Sequence, residues 1–484
     1  MTSGSHDGSH SPSDPTSGST GATRRDFLKR SGLLAAAAAG AGAVGVGGLR
    51  PQLARAATSG GISAGSLATI AQDAVYFGGP AVIMEYGWSE NLNLGFKVNR
   101  LYPGRELANP QTLGVGPNVD TLYGFAWLDL SKEPQVIQVP AIPDRYYSFQ
   151  LIDMWSNPFA YIGTRATGTG AGEYALTPPG WQGTLPSGVQ PIRATTKRVF
   201  VLTRTLVNSP SDLDAAVAVE ASYRNGPLSA YPNGLSAPIF NNLQSDQLAP
   251  GLTSYGVALF QQINEAILSY PPLPRNAVQA ARLRRVGVDV LNYKPPSPSL
   301  AAILSSSIQP AVTDALAYQQ SLATVVNGWR VTLGITDITY NPLRRFALTI
   351  QGAGTHIEKE ALYYGASSFN GAPLSGANSY EIVFPQGQLP PVSAFWSLIL
   401  YNSSFQLSAN PINRYEVASH TPGLIFRSDR SLSITVSNTQ PTDPTTNWLP
   451  APTGDFFLTL RTYIPEEPIL NQTWQPPALQ LASD

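Results

Sequence analysis

The 484-residue chain has no cysteine. Disulfides, thiolate zinc sites, iron–sulfur clusters and cysteine nucleophiles are therefore excluded. Charge is scarce too: Asp, Glu, Lys and Arg make up 13% of the residues, about half the usual share of roughly 25%. The net charge of −1 leaves no basic face with which to engage phosphates, so no nucleic-acid partner is expected. Histidine is rare. Of the four present, His6 and His10 lie in the leader described below, which leaves His356 and His420. A three-histidine metal site within one mature chain is thereby excluded. After the leader no apolar run reaches the roughly 18 residues that span a bilayer, so no stable membrane insertion of the mature chain is expected. Apolar residues are plentiful at 43%, enough for sizeable cores, and the length suggests two or three domains.

The first 22 residues, Met1 to Ala22, are rich in Ser, Gly, His, Asp and Thr, have no apolar periodicity and are expected to be disordered. Thr23-Arg24-Arg25-Asp26-Phe27-Leu28-Lys29 follows and resembles the recognition motif of the twin-arginine export pathway. A weakly hydrophobic stretch of mainly Ala and Gly, Gly32 to Leu49, comes next, and Ala54-Arg55-Ala56 fits a small-x-small cleavage site. The expectation is export across the cytoplasmic membrane, to the periplasm or beyond, with the translocation machinery as a partner and a mature chain from about Ala57. A lone amino-terminal anchor is the weaker alternative, because Ala and Gly drive insertion poorly. Gly40-Ala41-Gly42-Ala43-Val44-Gly45 matches a dinucleotide fingerprint, but it lies in this leader with no strand–helix unit around it and is discarded.

The rest divides by pattern. Residues 57–98 read as N-terminal helices, one over Ser63–Phe77 and a second opened by Pro80 and running to about Trp88. Residues 99–209 read as a first β-rich domain, with strands over Val136–Val139, Tyr146–Met154, Phe159–Gly163 and Val199–Thr205. Residues 210–366 read as a helical section: Leu213–Arg224, Val257–Leu268, Ala277–Leu291, Leu300–Trp329, and a region from Pro342 to about Ala366, with Gly352 and Gly354 as points where it can be interrupted. Residues 367–484 return to strands, over Tyr380–Phe384, Ala394–Tyr401, Ser431–Ser437 and Phe456–Thr462. The fold class is thus α+β multidomain, two antiparallel β-sandwich (jelly-roll-like) domains separated by a helical section.

Several segments carry a resemblance. Pro117-Asn118-Val119-Asp120-Thr121-Leu122-Tyr123, then Arg145 through Met154, then Asn157 with Phe159 through Arg165, resemble the amino-terminal domain of unknown function 1254. Pro390-Pro391-Val392 with Phe395-Trp396-Ser397, Asn410-Pro411 with Asn413-Arg414-Tyr415, Asn447 through Pro452, and Arg461-Thr462-Tyr463 resemble its usual partner, number 1214. The resemblance implies two β-sandwich domains with helices between them, and no settled reaction. One departure is Ser428-Asp429-Arg430-Ser431, where the family usually has Asp-Gly, so a different turn is expected there.

Candidate site residues come from polar groups in apolar company. In His356-Ile357-Glu358-Lys359-Glu360, His356 and Glu360 are four apart and share a face if helical, a pairing that suits acid–base work or metal ligation; a routine ion pair is the plainer reading. In the Asn118–Tyr123 segment, Asn118 and Asp120 share a face if extended, and either line a pocket with Tyr123 or cap their own turn. On the Arg145–Asp153 strand, Tyr146 and Gln150 lie on one face and Asp153 on the other; Gln150 sits among apolar neighbours and needs partners, with Asp153, Asn157, Tyr161 and Arg165 nearby. Arg165 suits an anion, or the whole set braces the strands. Trp396, Arg414, Trp448 and Arg461 either form an aromatic–arginine platform or pack as core.

Two functions follow. One is an exported enzyme acting on a small organic molecule by hydrolysis, elimination or cyclisation, in a pocket near the junction of the β-domains and the helical section. Its catalytic candidates are Asp120, Tyr123, His356 and Glu360, and its binding candidates Asn118, Tyr146, Gln150, Asp153, Arg165 and Trp396. The other is a non-catalytic ligand-binding or assembly protein of the cell envelope. No cofactor is called for and no metal site is assigned; calcium or magnesium stays open, though no dense acidic loop supports either. A homo-oligomer also stays open.

Overall fold

A computed structural model describes residues 66–112, 116–241, 251–334, 341–443 and 445–482. The export motif and cleavage site lie outside the described residues. The first element is α1, Leu67–Asn93, capped by the Ser66 hydroxyl, which accepts the Thr69 N–H. The break expected at Pro80 does not occur, and one continuous helix replaces two. Packing explains it: a Cβ at Gly78 would lie 2.2 Å from Ile263 and one at Gly79 2.8 Å from Phe346, so neighbouring helices press closely against this stretch. Arg345 also donates to the Phe77 carbonyl, beside the gap that the proline leaves in the helix ladder.

The first domain is a sandwich. Its strands are β1 (Tyr102–Pro103), β2 (Thr121–Asp129), β3 (Gln135–Val139), β4 (Tyr147–Asp153), β5 (Pro158–Gly163), β6 (Gly172–Thr177), β7 (Gln190–Arg193), β8 (Arg198–Leu206) and β9 (Arg224–Pro227). One sheet runs β1-β2-β8-β4-β5 and the other β7-β6-β3-β9, with β6 and β7 parallel. The dry face between them holds Leu128, Ile137, Phe149, Leu151, Val199 and Val201. Helix α2 (Leu213–Ser222) follows β8.

Four helices then gather on α1: α3 (Ala258–Ser269), α4 (Ala277–Arg282), α5 (Pro298–Ser321) and α6 (Pro342–Thr349). Their core includes Phe260, Ile263 and Phe346, and takes in Trp127 and Ile152 from the outer face of the first domain's five-stranded sheet. The helix expected through Trp329 ends at Ser321. The chain turns instead into a hairpin, because Asn327 and Gly328 adopt φ of 53° and 82° and the β-branched Thr324, Val325 and Val326 suit a strand. The helix expected from Pro342 to Ala366 likewise stops at Thr349, and Gly352 and Gly354, with φ of 155° and 108°, lead into a loop.

The second sandwich comprises β10 (Ala323–Val326), β11 (Trp329–Thr332), β12 (Ala361–Ala366), the small hairpin β13 (Ser368–Phe369) and β14 (Ala372–Pro373), β15 (Tyr380–Phe384), β16 (Val392–Asn402), β17 (Glu416–Ala418), β18 (Leu432–Ser437), β19 (Asn447–Pro450), β20 (Phe456–Pro465) and β21 (Gln480–Leu481), with a short helix α7 (Glu467–Leu470). One sheet is β10-β11-β12-β20-β16-β17 and the other β19-β18-β15-β21. Leu362, Leu398, Leu458, Ile434 and Val436 fill the space between them. The glycine-free turn before β18 closes with Arg430 at φ 63°, a left-handed position that Gly would take without strain. Two β-domains flanking a helical section are what the strand and helix patterns led one to expect.

Candidate functional site

Each sandwich turns one further sheet face toward the other domain, and these faces carry polar groups among apolar ones. In the first domain, strand register sets Tyr123 opposite Arg204 and Arg204 opposite Ser148, with Gln150 opposite Leu202 and Tyr161. In the second, Tyr363, Arg461 and Ser397 form one row and Ala361, Tyr463 and Phe395 the next. Alternation along each strand puts these side chains on the face away from the dry core.

The rows meet through long-range hydrogen bonds. Asn118 Nδ2 donates to the Tyr463 hydroxyl at 2.6 Å, while Asn118 Oδ1 accepts the Asp120 and Thr121 amides. Asn118 therefore caps its own turn and also joins the domains. The Ser397 hydroxyl donates to Asp120 Oδ2 at 2.7 Å. Tyr146 donates to Glu360 Oε1 at 2.8 Å, and Arg165 pairs with the other Glu360 oxygen. Gln150 donates to the Thr355 carbonyl and accepts from Arg204, whose other arm donates to the Gly354 carbonyl. Arg461 donates to the Gly116 carbonyl and the Tyr401 hydroxyl.

Several expectations need correction here. His356 and Glu360 lie in a loop and turn, not on a helix, and do not pair with each other: His356 Nδ1 is 3.4 Å from the Tyr161 hydroxyl. The φ-positive glycines before them break the helical register that the four-residue spacing assumed. Arg165 is committed to Glu360 and is not a free anion receptor. Asp153 faces the opposite side of β4 and belongs to a separate network with Asn157 and Thr195. Trp396 packs in the second core, its ring 5.8 Å from Phe384, because its position in β16 points it inward. The aromatic–arginine platform does not form: Arg414 and Trp448 line a cleft of about 250 Å³ on the second domain, while Arg461 is at the junction. Asp120, Tyr123, Asn118, Tyr146, Gln150, His356 and Glu360 are all brought to the junction.

Residues that sequence reasoning missed complete the group. Arg204 carried a legible signal, a charge between Leu202 and Leu206 on the face of β8 that begins with Arg198 and Phe200. Glu416 and His420 join Asp120: His420 Nε2 lies 3.5 Å from Glu416 Oε1 and 3.8 Å from Asp120 Oδ1. One ligand atom from each of the three falls within 4.8 Å of the others, the only such His/Asp/Glu group among the described residues.

The electrostatics are uneven. Arg204 and Arg461 are buried and make no ion pair among the described residues. Arg204 Cζ sits 5.0 Å from the Tyr123 ring centre, and Arg461 Cζ 5.5 Å from that of Tyr363. Burial alone would disfavour ionisation of Tyr123, but the guanidiniums of Arg204 and Arg461 outweigh it and bring its pKa below the ordinary tyrosine value. Burial, then Arg204, Arg165 and Arg461, hold the His356 pKa well below the usual imidazole range, so its ring is neutral. Burial, then the adjoining Glu416, raises Asp120. Tyr123 and Tyr363 are only half-buried, whereas Arg204, Arg461, Tyr146, Gln150 and Glu360 around them are buried.

Two family comparisons bear on the whole arrangement. DUF1254, described as a protein of unknown function, matches residues 98–227; DUF1214, described likewise, matches residues 360–467. Both domains are thus present, DUF1254 followed by DUF1214. No curated protein matches it. Among solved structures, the VPA0106 protein of Vibrio parahaemolyticus is 20% identical with a TM-score of 0.67, covering 86% of this chain and 100% of that one, which shows a shared fold. An uncharacterized protein of Burkholderia cenocepacia is 15% identical with a TM-score of 0.41, covering 95% and 94%. The DUF1254 segment supplies Asn118, Asp120, Tyr123, Gln150 and Arg204 to the junction, and the DUF1214 segment Glu360, Tyr363, Ser397, Glu416, His420 and Arg461. His356 falls just before the second.

Proposed function

We propose that the junction holds a recess that binds a small anionic organic molecule and acts on it by acid–base chemistry, with Tyr123 as proton acceptor. One observation carries this reading. Tyr123 keeps accessible surface beside two buried guanidiniums, Arg204 and Arg461, that have no carboxylate partner among the described residues. A buried guanidinium with no ion-pair partner is costly to keep, and an incoming carboxylate would stabilise it with charge-assisted, two-pronged hydrogen bonds. The same positive field eases loss of the Tyr123 proton. Neutral His356, whose Nε2 has no hydrogen-bond partner, supplies a further contact to the ligand. Ser397 donates to Asp120, not to a histidine, so the geometry supports proton abstraction leading to elimination or cyclisation better than a serine-based hydrolysis. Glu360, held by Tyr146 and Arg165, positions the loop and does not react.

Calorimetric titration with a panel of small aliphatic and aromatic carboxylates tests the reading. At least one class is expected to bind, Arg204→Gln to weaken it about tenfold or more, and Tyr123→Phe to keep binding while abolishing turnover. Absence of binding across the panel, or indifference to Arg204→Gln, would overturn it. Binding with no conversion of any bound compound would favour the non-catalytic alternative.

We also propose that the folded chain is exported, on the strength of Arg24-Arg25 and the cleavage site that follows. Replacing both arginines by Lys is expected to leave the protein in the cytoplasm on fractionation; unchanged export would rule the signal out.

A further inference from the structure

Glu416 ends up beside His420 because β17 stops at Ala418 and a tight turn follows. The Thr421 amide donates to the Ala418 carbonyl at 3.0 Å, and the Thr421 hydroxyl accepts the Ala418 amide at 2.8 Å. The turn folds the His420 ring back over the strand, against the edge of Phe395, with centroids 5.4 Å apart at 82°. Asp120 arrives from the other domain, in the loop before β2. Three potential ligands thus come from two pieces of chain and from both sandwiches.

Their spacing is informative. The His420 Nε2 distances of 3.5 Å to Glu416 Oε1 and 3.8 Å to Asp120 Oδ1 are too long for hydrogen bonds. They approach the separation of roughly 3.4 Å between neighbouring ligands on a tetrahedral ion with bonds of about 2.1 Å. A second, independent observation points the same way. Asp120 is fully buried, its Oδ2 is fixed by the Ser397 hydroxyl, and its Oδ1 is directed into the group with no hydrogen-bond partner. Glu416 Oε2 also lacks one. Two adjoining carboxylates need a proton or a cation between them. A shared proton would give no role to the imidazole nitrogen that faces both; a cation uses all three.

We propose that Asp120, Glu416 and His420 bind one divalent first-row transition-metal ion, with zinc as the best match. One imidazole nitrogen with two carboxylate oxygens suits such an ion better than calcium or magnesium, which take oxygen ligands alone. Three protein ligands leave a position for water or substrate, and the Ser397 hydroxyl on Asp120 is the kind of outer contact that orients a ligating carboxylate. The site does not depend on the Tyr123 reading, since none of its three ligands is used there.

The test uses the full chain, purified from its natural export route, stripped with a chelator and titrated with Zn²⁺ alone by calorimetry. Elemental analysis of the reloaded protein accompanies it. One equivalent per chain is expected, with affinity falling by about 100-fold or more in His420→Ala and in Glu416→Gln. Glu416 is half-buried, so its amide variant is the safer one for folding. Well under one equivalent in the wild type overturns the proposal, as does binding that neither substitution weakens. A preference for Ca²⁺ or Mg²⁺ over Zn²⁺ overturns the assignment of the ion class.

Discussion

Strand β4 carries buried polar groups on both faces, and the two differ in how completely they are paired. On the sandwich side, Asp153 Oδ1 accepts the Trp155 and Asn157 amides, and its Oδ2 accepts the Thr195 hydroxyl at 2.7 Å, with the Asn157 side-chain amide bridging both oxygens. On the junction side, Gln150 is satisfied, but around it Arg204 Nε, Arg461 Nε and His356 Nε2 have no partner. An orphaned buried polar atom is destabilising by about 1–3 kcal/mol, so a fold retains several in one place only for a reason other than stability. The Asp153 network, whose one orphan is Asn157 Oδ1, is a brace. The open one lies next to half-exposed tyrosines, the arrangement on which the proposed ligand site rests.

The sharpest way to break that comparison is to substitute one residue on each side. Asp153→Ala strands two backbone amides and the Thr195 hydroxyl, and is expected to lower unfolding free energy by about 3 kcal/mol or more in chemical denaturation. Arg204→Gln removes an unpaired buried cation, and is expected to lower stability by less than about 1 kcal/mol or to raise it. Equal losses from the two would mean that both networks are structural and that the junction has no special role.

The fold was more legible in the residues than the site. Strands such as Val199–Thr205 and Phe456–Thr462 announced themselves because they are short runs rich in β-branched, aromatic and other apolar residues. The N-terminal helix was misdivided because Pro80 is a local signal, while the packing of Ile263 and Phe346 that overrides it is not local. Four-residue spacing is a poor guide in this chain. His356 and Glu360 look paired only on a helix that the flanking glycines prevent. Glu416 and His420, which do come together, do so over a strand and a turn, where no helical rule applies. The contacts that define the junction join residues far apart in the chain, Tyr146 to Glu360 and Asp120 to Ser397, and no spacing in one sequence encodes such pairs. Arg204 was the one missed group with a visible mark, a cation set between apolar Leu202 and Leu206 on one strand face.

The smallest expected effect probes the same contrast most directly, because it reads the field at Tyr123 and needs no ligand. The folded-state pKa of Tyr123 is depressed below the ordinary tyrosine value of 10.0, burial being outweighed by Arg204 and Arg461. While the hydroxyl is protonated in both folded and unfolded chains, it contributes no pH dependence. As pH climbs through the lowered folded value, the folded chain releases its proton first and gains stability; the gain is complete above the unfolded value near 10. Read downward, that stability is lost as pH falls through the folded value. The stability of the wild type relative to Tyr123→Phe should therefore rise with pH across this alkaline window. Tyrosinate absorbance should show one group titrating early that is missing from the variant. Arg204→Gln should move that group back toward 10, since it removes the nearer guanidinium. If the variant and the wild type titrate alike, the two arginines do not act on Tyr123. The open network would then lose its proposed base, leaving the Asp120, Glu416 and His420 group untouched.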